Sequence, residues 1–300
     1  MPKDWVTKHN IKKGAELDIQ EQGNKLVIST DSMPELETKV IDVTGMDRSS
    51  IIFYLRSAYR RGYDTIEIVY NDPHATHLRT GDKVKVSSIV YEEVARLVGV
   101  EIIQQKENAC VVKSISEPTA KDFNNVLRRI FILLNDVCTD IVEGIKTGNS
   151  NLLETIEERH DNITKFISYS MRLLNKKGYD VLTDITSLYA IVSTLEEMTD
   201  ILKWVARDAL KMKKVKFTDK SLSMISNVKK GFEQYYDLFY KFDSKKVVQL
   251  YENRHDTMSA FRNSLVKLPQ NEIMVLSNAT YILTLLVSIT EVRMGLESVK

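Results

Sequence analysis

Three zones separate along the chain by the spacing of their apolar positions. Residues 1–30 open with a short helical pattern, PKDWVTKHN, and turn at Lys12-Lys13-Gly14. Two alternating runs follow, AELDIQ and KLVIST, joined at Glu21-Gln22-Gly23-Asn24. Polar/apolar alternation on both sides of a glycine-marked turn predicts a β-hairpin. Residues 40–115 mix the two periods: KVIDVT reads as strand, SSIIFYLRSAYRRG as helix and TIEIVY as strand. The loop NDPHATHLRTGD leads to a second helix near 87–98, then to GVEIIQQ and ACVVKSI, a final pair expected to be antiparallel. After Pro118 the pattern changes to long helical runs, broken near Gly148, Lys176-Lys177-Gly178, Lys213–Thr218, Asp243 and Pro269. Six helices of roughly 20–30 residues result, and helices of that length need an apolar face to bury, so a bundle is predicted.

The bundle is an internal repeat. At an offset of 95 residues, Glu157-Glu158-Arg159-His160-Asp161 falls on Glu252-Asn253-Arg254-His255-Asp256. The same offset pairs Phe166 with Phe261, Leu173 with Leu268, Leu188 with Leu283, Val192-Ser193 with Val287-Ser288, and Glu196 with Glu291. Ten of the 40 ungapped positions 157–196 are identical to their partners. The expected fold is therefore mainly α: two tandem three-helix units, 120–212 and 216–300, within a bundle spanning 119–300. A hairpin segment (1–32) and a small α/β domain (38–116) precede it.

The repeated acids carry the candidate chemistry. Glu157 and Asp161, Glu196 and Asp200, and Glu252 and Asp256 are each four residues apart, so each pair shares one helix face. Like charges at that spacing cost roughly 0.2–0.5 kcal/mol on an exposed helix, and a bound cation reverses the sign. The pairs fall on the second and third helices of each unit, where two facing pairs would close a multi-carboxylate site for iron, manganese, zinc or magnesium. In the second unit Glu291 has Gly295 four residues on, where the first unit has Asp200, so that site is expected to be incomplete. A competing reading takes Glu157-x-x-His160 and Glu252-x-x-His255, with Glu196 and Glu291, as the ligand set of a di-iron carboxylate enzyme or iron store. That design needs all four motif helices in one four-helix bundle, whereas the repeat predicts two three-helix units.

Composition excludes several classes. Lys and Arg (42) balance Asp and Glu (41), so any nucleic-acid contact must be local and patterned. Cys110 and Cys138 have no metal or redox spacing and read as reduced thiols. The charged N-terminus has no apolar core of a secretory signal. Residues 273–290 run 18 positions without a charge, near the lower limit for a membrane span. However, Ser277, Thr284, Ser288, Glu291 and Gly295 draw a small or polar stripe along that helix, which suits a bundle helix beside a polar site, so no membrane insertion is expected.

Taken together, the zones resemble a known family. Pro2-Lys3-Asp4-Trp5-Val6, the turn Lys12-Lys13-Gly14-Ala15-Glu16 and the strand Lys25-Leu26-Val27-Ile28 are similar to a SpoVT/AbrB-type swapped-hairpin DNA-binding domain. Arg61-Gly62-Tyr63-Asp64 and Arg96-Leu97-Val98-Gly99-Val100-Glu101-Ile102 resemble the connecting region of archaeal PhoU-type phosphate uptake regulators. The acid pairs on paired three-helix units resemble the PhoU bundle. The chain departs from the pattern twice. AbrB-like domains open with a strand before the Pro-Lys, so a start at Met1-Pro2 implies a truncated start or impaired DNA binding, and Gly295 removes one acid.

The resemblance implies a cytoplasmic, non-catalytic regulator of phosphate uptake and homeostasis. Its partners would be a phosphate transporter or phosphate-sensing signalling proteins, contacted in a metal-dependent way. It would also act at promoters as a DNA-binding homodimer, with Lys3, Lys8, Lys12 and Lys13 on the phosphate backbone. The implied metal ligands are Glu157, Asp161, Glu196, Asp200, Glu252, Asp256 and Glu291.

Other residues carry less. His74 and His77, near Asp72 and Asp82, lack a third placed ligand. Arg56, Arg60 and Arg61 lie on or near one helix face, which is either solvated or in contact with an anionic effector. Tyr235, Tyr236, Phe239, Tyr240 and Phe242 read as helix packing. No nucleotide-binding glycine loop or hydrolase motif is present.

Overall fold

The computed structural model describes residues 1–22, 25–30, 38–116, 122–181, 184–212 and 217–297. The tip of the first turn, the surroundings of Pro118 and most of the 213–218 break lie outside them. The chain forms two compact units, Met1–Glu37 and Thr38–Lys300.

In the first unit, helix α1 (Lys3–Lys8) precedes an antiparallel hairpin of β1 (Leu17–Gln22) and β2 (Lys25–Thr30), with Leu17 opposite Thr30. These are the elements that the alternation predicts. No residue of α1 is buried, and the hairpin leaves Ile19 and Leu26 58% and 68% exposed.

The second unit begins with a four-stranded sheet of β3 (Thr38–Asp42), β4 (Thr65–Val69), β7 (Val100–Lys106) and β8 (Ala109–Ser114), ordered β3-β4-β8-β7. Helix α2 (Arg48–Arg61) connects the parallel pair β3 and β4, and β8 runs antiparallel to both its neighbours. Helix α3 (Val86–Val94) follows a small hairpin, β5 (His74–Thr76) with β6 (Lys83–Lys85), in the stretch that the pattern reads as loop. Two three-residue strands with one apolar side chain each, Ala75 and Val84, leave no alternation to detect. Ile41, Ile66, Ile68 and Val112 of the sheet bury against Ile51, Leu55 and Tyr59 of α2 and Ile89 and Val90 of α3. The Asp47 side chain caps α2 by accepting from Ser49 and Ser50 N–H, and the helix stops at Gly62, whose φ is +105°.

The bundle consists of α4 (Asp122–Thr147), a short α5 (Ser150–Glu154), α6 (Ile156–Val181), α7 (Ile185–Lys211), α8 (Asp219–Tyr240), α9 (Ser244–Arg262) and α10 (Gln270–Gly295). Helices α4, α6 and α7 pack on one another, as do α8, α9 and α10, and the two groups join through α7 with α10 and α4 with α8. One apolar core runs through both. Helix α6 continues through Lys176-Lys177-Gly178 instead of breaking there. An interior glycine costs only about 1 kcal/mol relative to alanine, too little to end a packed helix. Helix α10 is the bundle's most apolar member, with Leu276, Ile282, Leu283, Leu286 and Ile289 buried. Its small or polar stripe does not face a polar interior: Ser277, Ser288, Glu291 and Gly295 are exposed. The aromatic run packs as expected, with Phe131 of α4 within ring contact of Tyr235, Tyr236, Phe239 and Tyr240 of α8.

Candidate functional site

The site is built along one face of α6. His160, Thr164, Ser168, Arg172 and Lys176 recur every four residues, which aligns them down the helix. This stripe receives the C-terminal end of α2. Arg172, 1% exposed, donates from Nη1 to the carbonyls of Tyr59 (2.8 Å) and Tyr63 (2.9 Å) and faces Asp64 across 3.4 Å. Its guanidinium also stacks 4.8 Å from the Tyr59 ring centroid. Lys176 pairs with the same Asp64, and Asn175 Nδ2 donates to the Arg60 carbonyl at 2.7 Å. Gly62 permits the approach: a Cβ there would sit 2.8 Å from Lys176 Cγ.

The acids of the first repeat lie along the same seam, and each is paired with a cation of the chain. Glu196 accepts from Arg60 of α2, with Nη1 to Oε2 at 2.8 Å, while Arg60 Nη2 also reaches Ser168 Oγ at 3.0 Å. Asp161 pairs with Arg96, just past α3, at 2.9 Å. Glu157 accepts from Arg207, with Nε to Oε2 at 2.8 Å. Asp200 Oδ1 accepts from Lys203 at 2.7 Å and His160 Nε2 at 2.8 Å, while His160 Nδ1 lies 3.1 Å from Asp161. The electrostatics follow from these contacts. The Arg207 hydrogen bonds hold Glu157 below the usual carboxylate range. Hydrogen bonding to His160, and then the charge of Arg96, do the same for Asp161. Burial pushes Asp200 up, but hydrogen bonds from His160 and Lys203 outweigh it and leave it strongly acidic. Burial pulls the His160 pKa down, and the bonds to Asp161 and Asp200 more than reverse that.

Glu157, Asp161, Glu196 and Asp200 are thus interleaved with Arg60, Arg96, Lys203 and Arg207, not gathered into a closed carboxylate cage. The arrangement fits a metal only if these cations are displaced. In the second repeat, Glu252 and Asp256 are exposed on α9 and line a cavity of about 480 Å³ against α8, together with Asn227, Gln234, Gln249 and Lys230. Glu291 is exposed on α10, and none of these three acids has an ion-pair partner among the described residues. Carboxylate and amide oxygens on a shallow wet surface are a donor set that a hard cation accepts. Among the described residues, no group of three or more His, Cys, Asp or Glu side chains is placed to hold a metal ion, and the two Glu-x-x-His elements do not form such a group either.

The sequence alone did not single out Arg172, Asn175, Lys176, Lys203 or Arg207. A signal existed: Thr164, Ser168 and Arg172 are polar positions at helical spacing among the buried Ile163, Ile167 and Met171. Lys3, Lys8, Lys12 and Lys13 are all exposed on the first unit, the first two at the ends of α1. His74 is half-exposed in the β5–β6 hairpin, 4.0 Å from Asp72, while His77 Nδ1 accepts from Thr80 N–H at 3.2 Å.

The chain is similar to a crystal structure of PhoU from Pseudomonas aeruginosa, with a TM-score of 0.49 and 17% sequence identity, over 58% of this chain and 94% of that one. No family model matches the sequence, and no curated protein does.

Proposed function

We propose that the chain is a PhoU-type regulator of phosphate uptake and homeostasis, of the archaeal kind that carries a hairpin DNA-binding segment. It works by contact and not by catalysis. One observation carries the reading: the two repeats hold acids at equivalent positions, occupied by the chain's own arginines in the first and open in the second. Two acids of that first face, Glu196 and Asp161, already hold Arg60 and Arg96 of the α/β layer, which makes the face a docking surface. In the second repeat Glu252 and Asp256 are free to bind a divalent cation such as manganese or magnesium, with iron and zinc as further candidates, and through it a partner protein that also meets the exposed Glu291. The partner is a phosphate transporter or a phosphate-sensing signalling protein on the cytoplasmic side.

The first unit supplies the other end of the regulator. A two-stranded hairpin alone is marginal in water, and exposed Ile19 and Leu26 ask for cover. A second copy provides that cover, giving a homodimer in which Lys3, Lys8, Lys12 and Lys13 reach DNA phosphates. Phosphate uptake in cells lacking the chain, complemented with wild type or with Glu252→Ala, Asp256→Ala, Glu291→Ala, tests the reading. Wild type should restore restraint of uptake and the triple variant should fail to. Identical uptake with and without the chain, at high and low phosphate, would overturn it.

A further inference from the structure

A cavity of about 880 Å³ lies between α2 and the α6–α7 pair, and three arginines of α2 line it: Arg56, Arg60 and Arg61. Glu196 is committed to Arg60 through both oxygens, and Asp200 to Lys203 and His160 through Oδ1. Glu93 holds Arg56 through Nε at 2.7 Å and Nη2 at 3.0 Å, leaving Nη1 without an acceptor among the described residues. Arg61 is exposed and has no hydrogen-bond or ion-pair partner among them. Beside the outer oxygen of Asp200, the bonding capacity left in the cavity is cationic, supplemented by the hydroxyls of Ser57 and Ser193. A planar guanidinium with free donors is suited to a phosphoryl group.

We propose that this cavity is a binding site for a small organic phosphate of the nucleotide class, with its phosphoryl group on Arg61 and Arg56. The volume is that of a small-molecule pocket, far beyond what a bare phosphate fills. The α7 wall facing the arginines is apolar and aromatic, with Ile185, Tyr189 and Ala190, and Phe53 lies one turn before Arg56 on α2. Phe53 is 64% exposed, and a base lying on its ring would bury part of that apolar surface. The ligand would touch α2 on one side and α7 on the other, and so tighten the seam that Arg172 and Arg60 hold. The inference does not depend on the regulator reading, because it uses none of the open acids of the second repeat.

The test is isothermal titration of the full chain with adenosine monophosphate and, separately, inorganic phosphate, in a chelator-containing buffer that removes metal as a variable. The expected result is one nucleotide per chain, with phosphate at least tenfold weaker. Arg61→Ala should weaken the nucleotide at least tenfold, and Ser193→Glu, which places a negative charge in the cavity, should abolish binding. Both side chains are exposed, so circular dichroism and melting should match wild type. No nucleotide binding up to millimolar concentration, binding that survives either substitution, or phosphate binding as tightly as the nucleotide would overturn the proposal.

Discussion

Replacing Arg172 with alanine isolates the joint between the α/β layer and the bundle. The side chain is 1% exposed and donates to the carbonyls of Tyr59 and Tyr63 at the C-terminal end of α2, where the last carbonyls run short of helix donors. The Tyr59 carbonyl keeps the Gly62 N–H at 3.0 Å, so the carbonyl left dry is that of Tyr63, at a cost of about 1–3 kcal/mol. Loss of the stacked guanidinium adds about 1–2 kcal/mol. Asp64 keeps Lys176, which limits the damage on that side. The total falls at about 2–5 kcal/mol, overlapping the usual range for removing one partner of a buried charged network. Because the layer and the bundle have separate apolar cores, the loss should be local. Amide exchange read by mass spectrometry should speed up in α2 and α3, with α8–α10 unchanged, and the urea midpoint of the whole unit should fall. Arg172→Lys should recover part of the loss, since an ammonium can reach the carbonyls but lacks the second arm that faces Asp64 and the planar group that stacks on Tyr59. A loss below about 1 kcal/mol, or exchange in α2 as slow as in wild type, would refute the assignment of Arg172 as the main tie.

Further tests bear on the same seam and its supports. Gly62→Ala meets both a positive φ and Lys176, so it should destabilise by about 1–3 kcal/mol in a urea melt; a neutral result would mean that α2 is free to shift. Asp47→Ala should cost about 1 kcal/mol as a lost cap. The hydrogen bond from Ser50 lowers the Asp47 pKa in the fold, so its contribution is full above the ordinary value of 3.8 and fades as pH falls through the lower folded value. The gap between wild type and Asp47→Ala should therefore narrow on acidification, and a gap that widens would contradict the cap. Cys110 and Cys138 are buried with their pKa values raised by burial, so neither should react with a thiol reagent until the chain unfolds. Prompt labelling of either thiol would count against the packing described.

The long elements were legible because periodicity is strong where one face is buried. Apart from the end of α6, the six long helices stand where the pattern places them, as do the first hairpin and the antiparallel β7–β8 pair. The β5–β6 hairpin was silent because three-residue strands carry no period, and Gly178 misled because packing overrode its propensity. The acids were legible as a repeat, but what faces them was not. Arg60 and Arg96 come from elements more than sixty residues earlier, and no spacing along the chain predicts which cation meets which carboxylate. The buried polar positions of α6 at 164, 168 and 172 were the one local hint that a second element docks there.

The central claim is that the two acid faces have divided their work, the first latching the α/β layer and the second left open for a cation. Manganese titration followed by electron paramagnetic resonance, on wild type and two double variants, tests it most directly. Glu252→Ala, Asp256→Ala should lose the bound ion, and Glu196→Ala, Asp200→Ala should keep it while exchanging faster in α2. Loss of the ion from the Glu196, Asp200 variant alone, or no bound ion in wild type, would contradict the account.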